Sequence, residues 1–283
     1  MEGRPKTCGF TIVETMIVLA ITSALFISVA GLLSGRENST QFDQGVQAAQ
    51  ADIQQVINDV SSGLYADTNN FVCAAEPSGP VLSSAGSSDQ GGNTGCIFLG
   101  KVLQFATSGT HSEGFRIFTV AGLQRDASGE DVSTYAAAVP TAVSPTPTAP
   151  NLPNATTVGN FEYGITVSEV YYYATASSSK TDIGAVAFVN SLASYTSGGM
   201  PVSSASQVNV IPIDPLDGMT LGATQQETAA AIDQNLATSP VNPYSVNICL
   251  VSGGTNQSGL VTIGSNGREL AATLSIKEDN TCS

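Results

Sequence analysis

The chain has 283 residues, 42% of them hydrophobic and only 11% charged, with a formal net charge of −14. That apolar content excludes a disordered chain by composition and leaves room for the core of roughly one to two domains. So acidic a surface repels phosphate backbones and anionic lipid, which argues against general nucleic-acid binding.

Residues Met1–Gly9 (MEGRPKTCG) are short, polar and mildly basic. An apolar run follows, Phe10–Leu33 (FTIVETMIVLAITSALFISVAGLL), holding one charge, Glu14. Its 24 residues suffice to cross about 30 Å of hydrocarbon. A secretory signal would carry a shorter apolar core with its cut afterwards, whereas here the candidate cut lies before the run. Arg4 and Lys6 on the N-terminal side predict an N-terminus inside and the remainder outside. Glu14 is the anomaly, because a carboxylate costs at least ~2.5–3.5 kcal/mol at the bilayer centre. It needs a partner or a shallow depth, and near one end of the run it could simply reach the headgroups.

From Phe42 the pattern changes. Phe42, Val46, Ala49, Ile53, Val56 and Val60 fall at alternating intervals of four and three, so they line one stripe of a helix. The whole of Gly9–Val60 therefore reads as one helix, apolar all round at first and amphipathic later. At ~1.5 Å per residue it would reach about 75–80 Å, longer than an ordinary globular domain needs. Gly31, Gly35 and Gly45 are its soft points, each costing up to ~1 kcal/mol relative to alanine.

The hexapeptide Gly9–Phe10–Thr11–Ile12–Val13–Glu14, behind a basic leader and ahead of a long apolar helix, resembles the class III signal of type IV pilins and pseudopilins. The resemblance covers about the first fifth of the chain. It implies cleavage after Gly9 by a prepilin peptidase, methylation of Phe10, and pairing of Glu14 with a neighbour's N-terminal amine during assembly. The ammonium created by cleavage and the Glu14 carboxylate would then offset each other's burial. It also implies a pilus assembly ATPase, a platform protein and the cytoplasmic membrane as partners. Cys8 departs from the pattern only within the leader. Gly31–Gly35 is the candidate for helix melting in a filament, the alternative being close packing of small residues against neighbours.

Beyond Ser62 turns dominate. Pro77–Gly95 reads as a surface loop between Cys73 and Cys96, and strand-like runs follow at Cys96–Ala106, Phe115–Val120, Phe161–Ala174 and Ile183–Val189. Pro140–Pro153 is proline-rich and predicts an extended exposed loop. Gln225–Leu236 reads as a short helix capped by Thr224. Runs at Ser245–Val251, Gly259–Ile263 and Glu269–Ile276 predict strands joined by turns at Gly253–Gly254 and Asn266–Gly267. Four cysteines, Cys73, Cys96, Cys249 and Cys282, follow the apolar run and predict two disulfides in an oxidising compartment. Three pairings are possible, and sequence proximity favours Cys73–Cys96 and Cys249–Cys282.

Catalytic constellations are thin. Ser177–Lys180 satisfies S-x-x-K, but the companion motifs of serine acylating enzymes are missing. No Walker motif occurs, and His111, the only histidine, reads as a turn residue. Two acidic loops are weak calcium candidates, Asp126 with Asp131 and Asp214 with Asp217, although neither follows the EF-hand pattern. Tyr171–Tyr173 predicts a strand with at least one ring facing outward, as sheet packing or an adhesive spot.

The expected fold is α+β and type IV pilin-like. Residues 1–9 would be the leader, 10–33 the transmembrane and assembly half of the helix, 34–63 its amphipathic half, and 64–283 an extracellular β-rich head. The expected function is structural rather than enzymatic, with no cofactor and no metal. The protein would polymerise with other pilin subunits in a filament serving adhesion, twitching motility or DNA uptake. The alternatives are a pseudopilin or tip minor pilin of a secretion or competence machine, or a membrane-anchored adhesin that never polymerises. Location would be the cytoplasmic membrane, then the cell-surface filament.

Overall fold

The computed structural model describes residues 11–62, 71–76, 79–84, 95–105, 114–126, 128–143, 156–190, 208–213, 225–236, 243–265, 270–279 and 281–282. A single helix, α1, runs unbroken over Ile12–Ser62. After it come strands β1 (Phe71–Glu76), β2 (Gly79–Ser84), β3 (Cys96–Phe105) and β4 (Gly114–Leu123). A one-turn helix α2 (Tyr135–Ala138) precedes β5 (Thr141–Ala142), β6 (Thr156–Asn160), β7 (Ile165–Tyr173), β8 (Thr181–Asp182), β9 (Ala185–Asn190) and β10 (Val208–Ile213). The helix α3 (Gln225–Leu236) and strands β11 (Ser245–Ser252), β12 (Ser258–Ser265) and β13 (Leu270–Lys277) complete the order.

The strands form two larger antiparallel sheets and the hairpin β1–β2. In the first sheet the order is β10-β9-β3-β4, with β5 and β6 both pairing with the far side of β4. In the second it is β13-β12-β11-β7-β8. The chain crosses between sheets before β7 and again after β8. It enters from β6 through Phe161–Gly164 and returns from β8 to β9 through Ile183 and Gly184.

The α1 stripe is what both sheets close upon. All six predicted residues, Phe42, Val46, Ala49, Ile53, Val56 and Val60, are buried to 3% exposure or less, joined by Ile57. They share one core with Leu103, Phe105, Val186 and Phe188 of the first sheet and Ile165, Val246, Ile248 and Val261 of the second. Burying such side chains contributes about 1.5–3 kcal/mol each. Gly45 allows the close approach, since a methyl there would strike the Ile165 side chain. Asp59 near the helix end binds Lys101 of β3 at 2.6 Å, and both side chains are largely buried.

The opposite face of the first sheet carries a second core, with Val102, Phe118, Val120 and Ile211 beneath Ala229, Ile232 and Leu236 of α3. Being covered on both faces explains why β9 (AVAFVN) is buried at every position and shows no polar alternation. Its large residues Val186 and Phe188 face α1, and its small Ala185 and Ala187 face α3.

Several expectations need correction. Pro77–Gly95 is not loop throughout, because β2 lies within it and pairs in register with β1, Cys73 opposite Leu82. Phe161–Ala174 is not one strand, because Tyr163 (φ 58°, ψ 30°) and Gly164 (φ 67°) turn the chain left-handed before β7 starts. With Ile165 N–H donating to the Glu162 carbonyl, these angles make a tight turn of type I′ character. Strand β10 had no clear signal, since Pro212 interrupts it; an edge strand tolerates that proline. The expectations at Thr224, Asn266–Gly267 and most of Pro140–Pro153 lie outside the described residues.

Candidate functional site

The first half of α1 supplies the site. Over Ile12–Val29 mean hydropathy is 2.2, and none of this window is buried against the rest of the protein. Ile12, Leu19, Leu25 and Phe26 are each more than half exposed. An apolar cylinder this long is a membrane-compatible surface by length and composition, and it awaits lipid or other helices. Thr22 and Ser28 lie on it, and their hydroxyls donate to the helix carbonyls of Val18 and Ala24 at 2.8 and 2.9 Å. No free hydrogen-bond donor is therefore presented to an apolar surrounding at these positions.

Glu14 occupies the third position of α1 and closes a reciprocal cap with Thr11. Its backbone N–H donates to Thr11 Oγ1 at 3.3 Å, while the Thr11 N–H donates to the Glu14 carboxylate at 3.3 Å. Thr11 Oγ1–H also reaches that carboxylate at 3.4 Å. This is a capping box, and its T-x-x-E signature stands in the sequence. Reading Glu14 only as a charge in an apolar run misses it. The cap aims the carboxylate back along the helix, toward the side where Phe10 joins the chain. Gly9 and Phe10 themselves lie outside the described residues.

The remaining site candidates are dispersed. Cys249 and Cys282 form a disulfide, Cα to Cα 5.7 Å, closing a loop of 33 residues and tying the C-terminal end to the middle of the second sheet. Such a loop is worth about 3–4 kcal/mol through the unfolded state. Cys96 is held in a disulfide as well, and Cys73 lies on β1.

Asp126 turns its carboxylate onto the N–H groups of Ser128 and Glu130 at 2.8 and 3.0 Å, and Asp131 pairs with Arg125 at 3.3 Å. Among the described residues no group of three or more His, Cys, Asp or Glu could hold a metal ion. Asp214, Asp217 and His111 lie outside the described residues.

Lys180 of the S-x-x-K match is bound by Glu169 and sits 5.2 Å above the Tyr171 ring. The bond to Glu169 raises its pKa, which keeps it protonated, the opposite of what a basic catalyst requires. Tyr171 and Tyr173 share a face with rings 5.6 Å apart in a T-shaped contact, while Tyr172 packs on the main core.

Comparison with known proteins agrees with this geometry at one place. Residues 4–30 match the family model described as the prokaryotic N-terminal methylation motif. No curated protein and no solved structure matches the chain. The motif, with the apolar helix it contains, fits a type IV pilin or pseudopilin, and it points to a structural rather than an enzymatic role. The motif implies processing by a prepilin peptidase and assembly into pilin-type filaments, and the apolar helix fits membrane anchoring.

Proposed function

We propose that the protein is a structural subunit of a type IV pilus-like filament. It is cut after Gly9, methylated at Phe10 and polymerised through the bare half of α1, with the head displayed on the filament surface. The observation that carries this reading is the methylation motif at residues 4–30, which takes in the first, largely apolar half of α1, together with the finding that none of Ile12–Val29 is buried against the rest of the protein. The continuous α1 supports it, because the same helix that offers an assembly surface also holds the head by its second half. Glu14 acts as the charged contact for a neighbour's new N-terminal ammonium, its carboxylate held ready by Thr11. A pseudopilin or a tip subunit shares all these features, and abundance in sheared filaments separates them from a main subunit.

The N-terminal mass of the mature protein recovered from cells tests the reading. A chain beginning at methylated Phe10 is expected. A chain that retains Met1, or is cut beyond Leu33, would leave an anchored or secreted head and remove the filament.

A further inference from the structure

A groove of about 710 Å³ opens where α1 emerges from the head. Asn38 and Gln41 of the helix form one wall, Thr166 and Ser168 of β7 the floor, and Tyr163 and the β11–β12 turn with Thr255 the rims. Its volume lies within the about 300–1,000 Å³ typical of small-ligand sites. Among the described residues no Asp, Glu, Lys, Arg or His lines it.

Tyr163 is the unexpected member. It stands at φ 58° in a turn position that asparagine or glycine would take at little cost, and a tyrosine there is strained by about 1–2 kcal/mol. Tyr163 remains 49% exposed, so packing within the head covers only about half of it. A strained side chain presented at the lip of a groove is the pattern expected of a ligand contact.

The polar lining is equally uncommitted. Asn38 Nδ2, Thr166 Oγ1 and Ser168 Oγ donate to the carbonyls of Gly254, Val251 and Cys249, each at 3.4 Å. These bonds are long enough to be exchanged for better ones. Thr255 Oγ1 is buried with no hydrogen-bond partner among the described residues. Such an atom costs about 1–3 kcal/mol, and because it has almost no exposed surface a ligand reaches it only if the turn shifts.

We propose that this groove binds a neutral oligosaccharide, with the Tyr163 ring as the platform for one sugar face. A sugar offers apolar C–H faces to an aromatic ring and hydroxyls that both donate and accept, which matches amides, hydroxyls and one phenol. An anionic ligand finds no cation here; the carboxylate beside the wall, Glu37, is outside the lining and accepts from Gln41 Nε2 at 3.4 Å; and an apolar ligand would strip water from hydroxyls without replacing it. The inference is independent of filament assembly.

The test uses the full chain in a phosphocholine detergent, which carries no sugar headgroup. Neutral trisaccharides of glucose, galactose, mannose and N-acetylglucosamine are titrated by saturation-transfer NMR, with a galacturonic acid trimer as the anionic comparison. Saturable binding of a neutral probe is expected, at least tenfold tighter than the acidic one. Tyr163→Asn, which keeps a residue suited to the left-handed backbone, should weaken it at least tenfold while the melting temperature holds or rises as the strain is relieved. Gln41→Ala on the opposite wall should weaken it as well. If no neutral probe saturates, if the acidic trimer binds equally, or if both variants bind as the parent does, the groove is not a sugar site. A groove filled only by a neighbouring subunit would give the first of those results.

Discussion

Asp233 on α3 accepts the Ala142 N–H at 2.5 Å and thereby fastens the helix to β5. Burial is the larger influence on its carboxyl and raises it from 3.8 to about 6, against the Ala142 bond, which lowers it. The raised value means that the folded state holds this proton more tightly than the unfolded chain. Its stabilising contribution is therefore full below about 3.8 and is lost as pH rises through about 6. The unfolding free energy from denaturant titrations should fall across that window by on the order of 2–3 kcal/mol at most. Asp233→Asn should flatten this slope while keeping an acceptor for Ala142, and an unchanged slope in that variant would assign the effect elsewhere. Nothing in the sequence marks Asp233, since its burial depends on strands about ninety residues away. Glu14 is different, because its capping-box partner Thr11 stands three residues before it in plain sight.

Among the elements, α1 was legible and the sheets only partly so. A 3.5-residue period over Phe42–Val60 admits one buried face, and the helix buries that face. Helix α3 also spans the residues expected of it. Strands β3, β4, β11, β12 and β13 announced themselves through β-branched and aromatic runs. Strands β5 and β6 did not, because they are short and rich in threonine and glycine, and only β4, distant in sequence, makes them strands; β1 and β2 make a local hairpin whose second strand opens on Gly79–Pro80.

The same long range hides another contact. Gln50 Nε2 donates to the Ala272 carbonyl at 2.8 Å, and the Ala272 N–H donates to Gln54 Oε1 at 2.9 Å. Two glutamines one helical turn apart thus occupy the outward backbone groups of an edge strand. Replacing both by alanine should cost roughly 1–3 kcal/mol in urea unfolding. It should also speed amide exchange at Ala272, and unaltered exchange there would show the contact to be dispensable.

For the whole molecule, the proposed filament would have the first half of α1 meet neighbours while the second half holds the head, and a charge change at Glu14 separates the two. Glu14→Gln retains an oxygen to accept from Thr11 but removes the charge. The expected outcome is normal membrane insertion and head folding with little or no filament in sheared fractions. Glu14→Ala should additionally fray the first turn, at a cost of about 0.5–2 kcal/mol. Normal filament yield from the glutamine variant would show that the carboxylate is not the assembly contact. The methylation motif was readable because its residues lie within one short local stretch. The groove beside Tyr163 was not, because its walls come from α1, β7 and the β11–β12 turn, more than 200 residues apart at the extremes.

The placement of the stripe on α1 also sets how the molecule bears force. In a filament joined through Ile12–Val29, tension passes from helix to helix before it reaches Phe42, where the head begins to grip. In such a filament the two sheets would hang beside the load path, and the disulfide-closed β11–β13 hairpins would not be pulled in series with it. Stretching such a fibre would draw out its helices first, and a head could unfold and refold without changing the length of the strand that carries it.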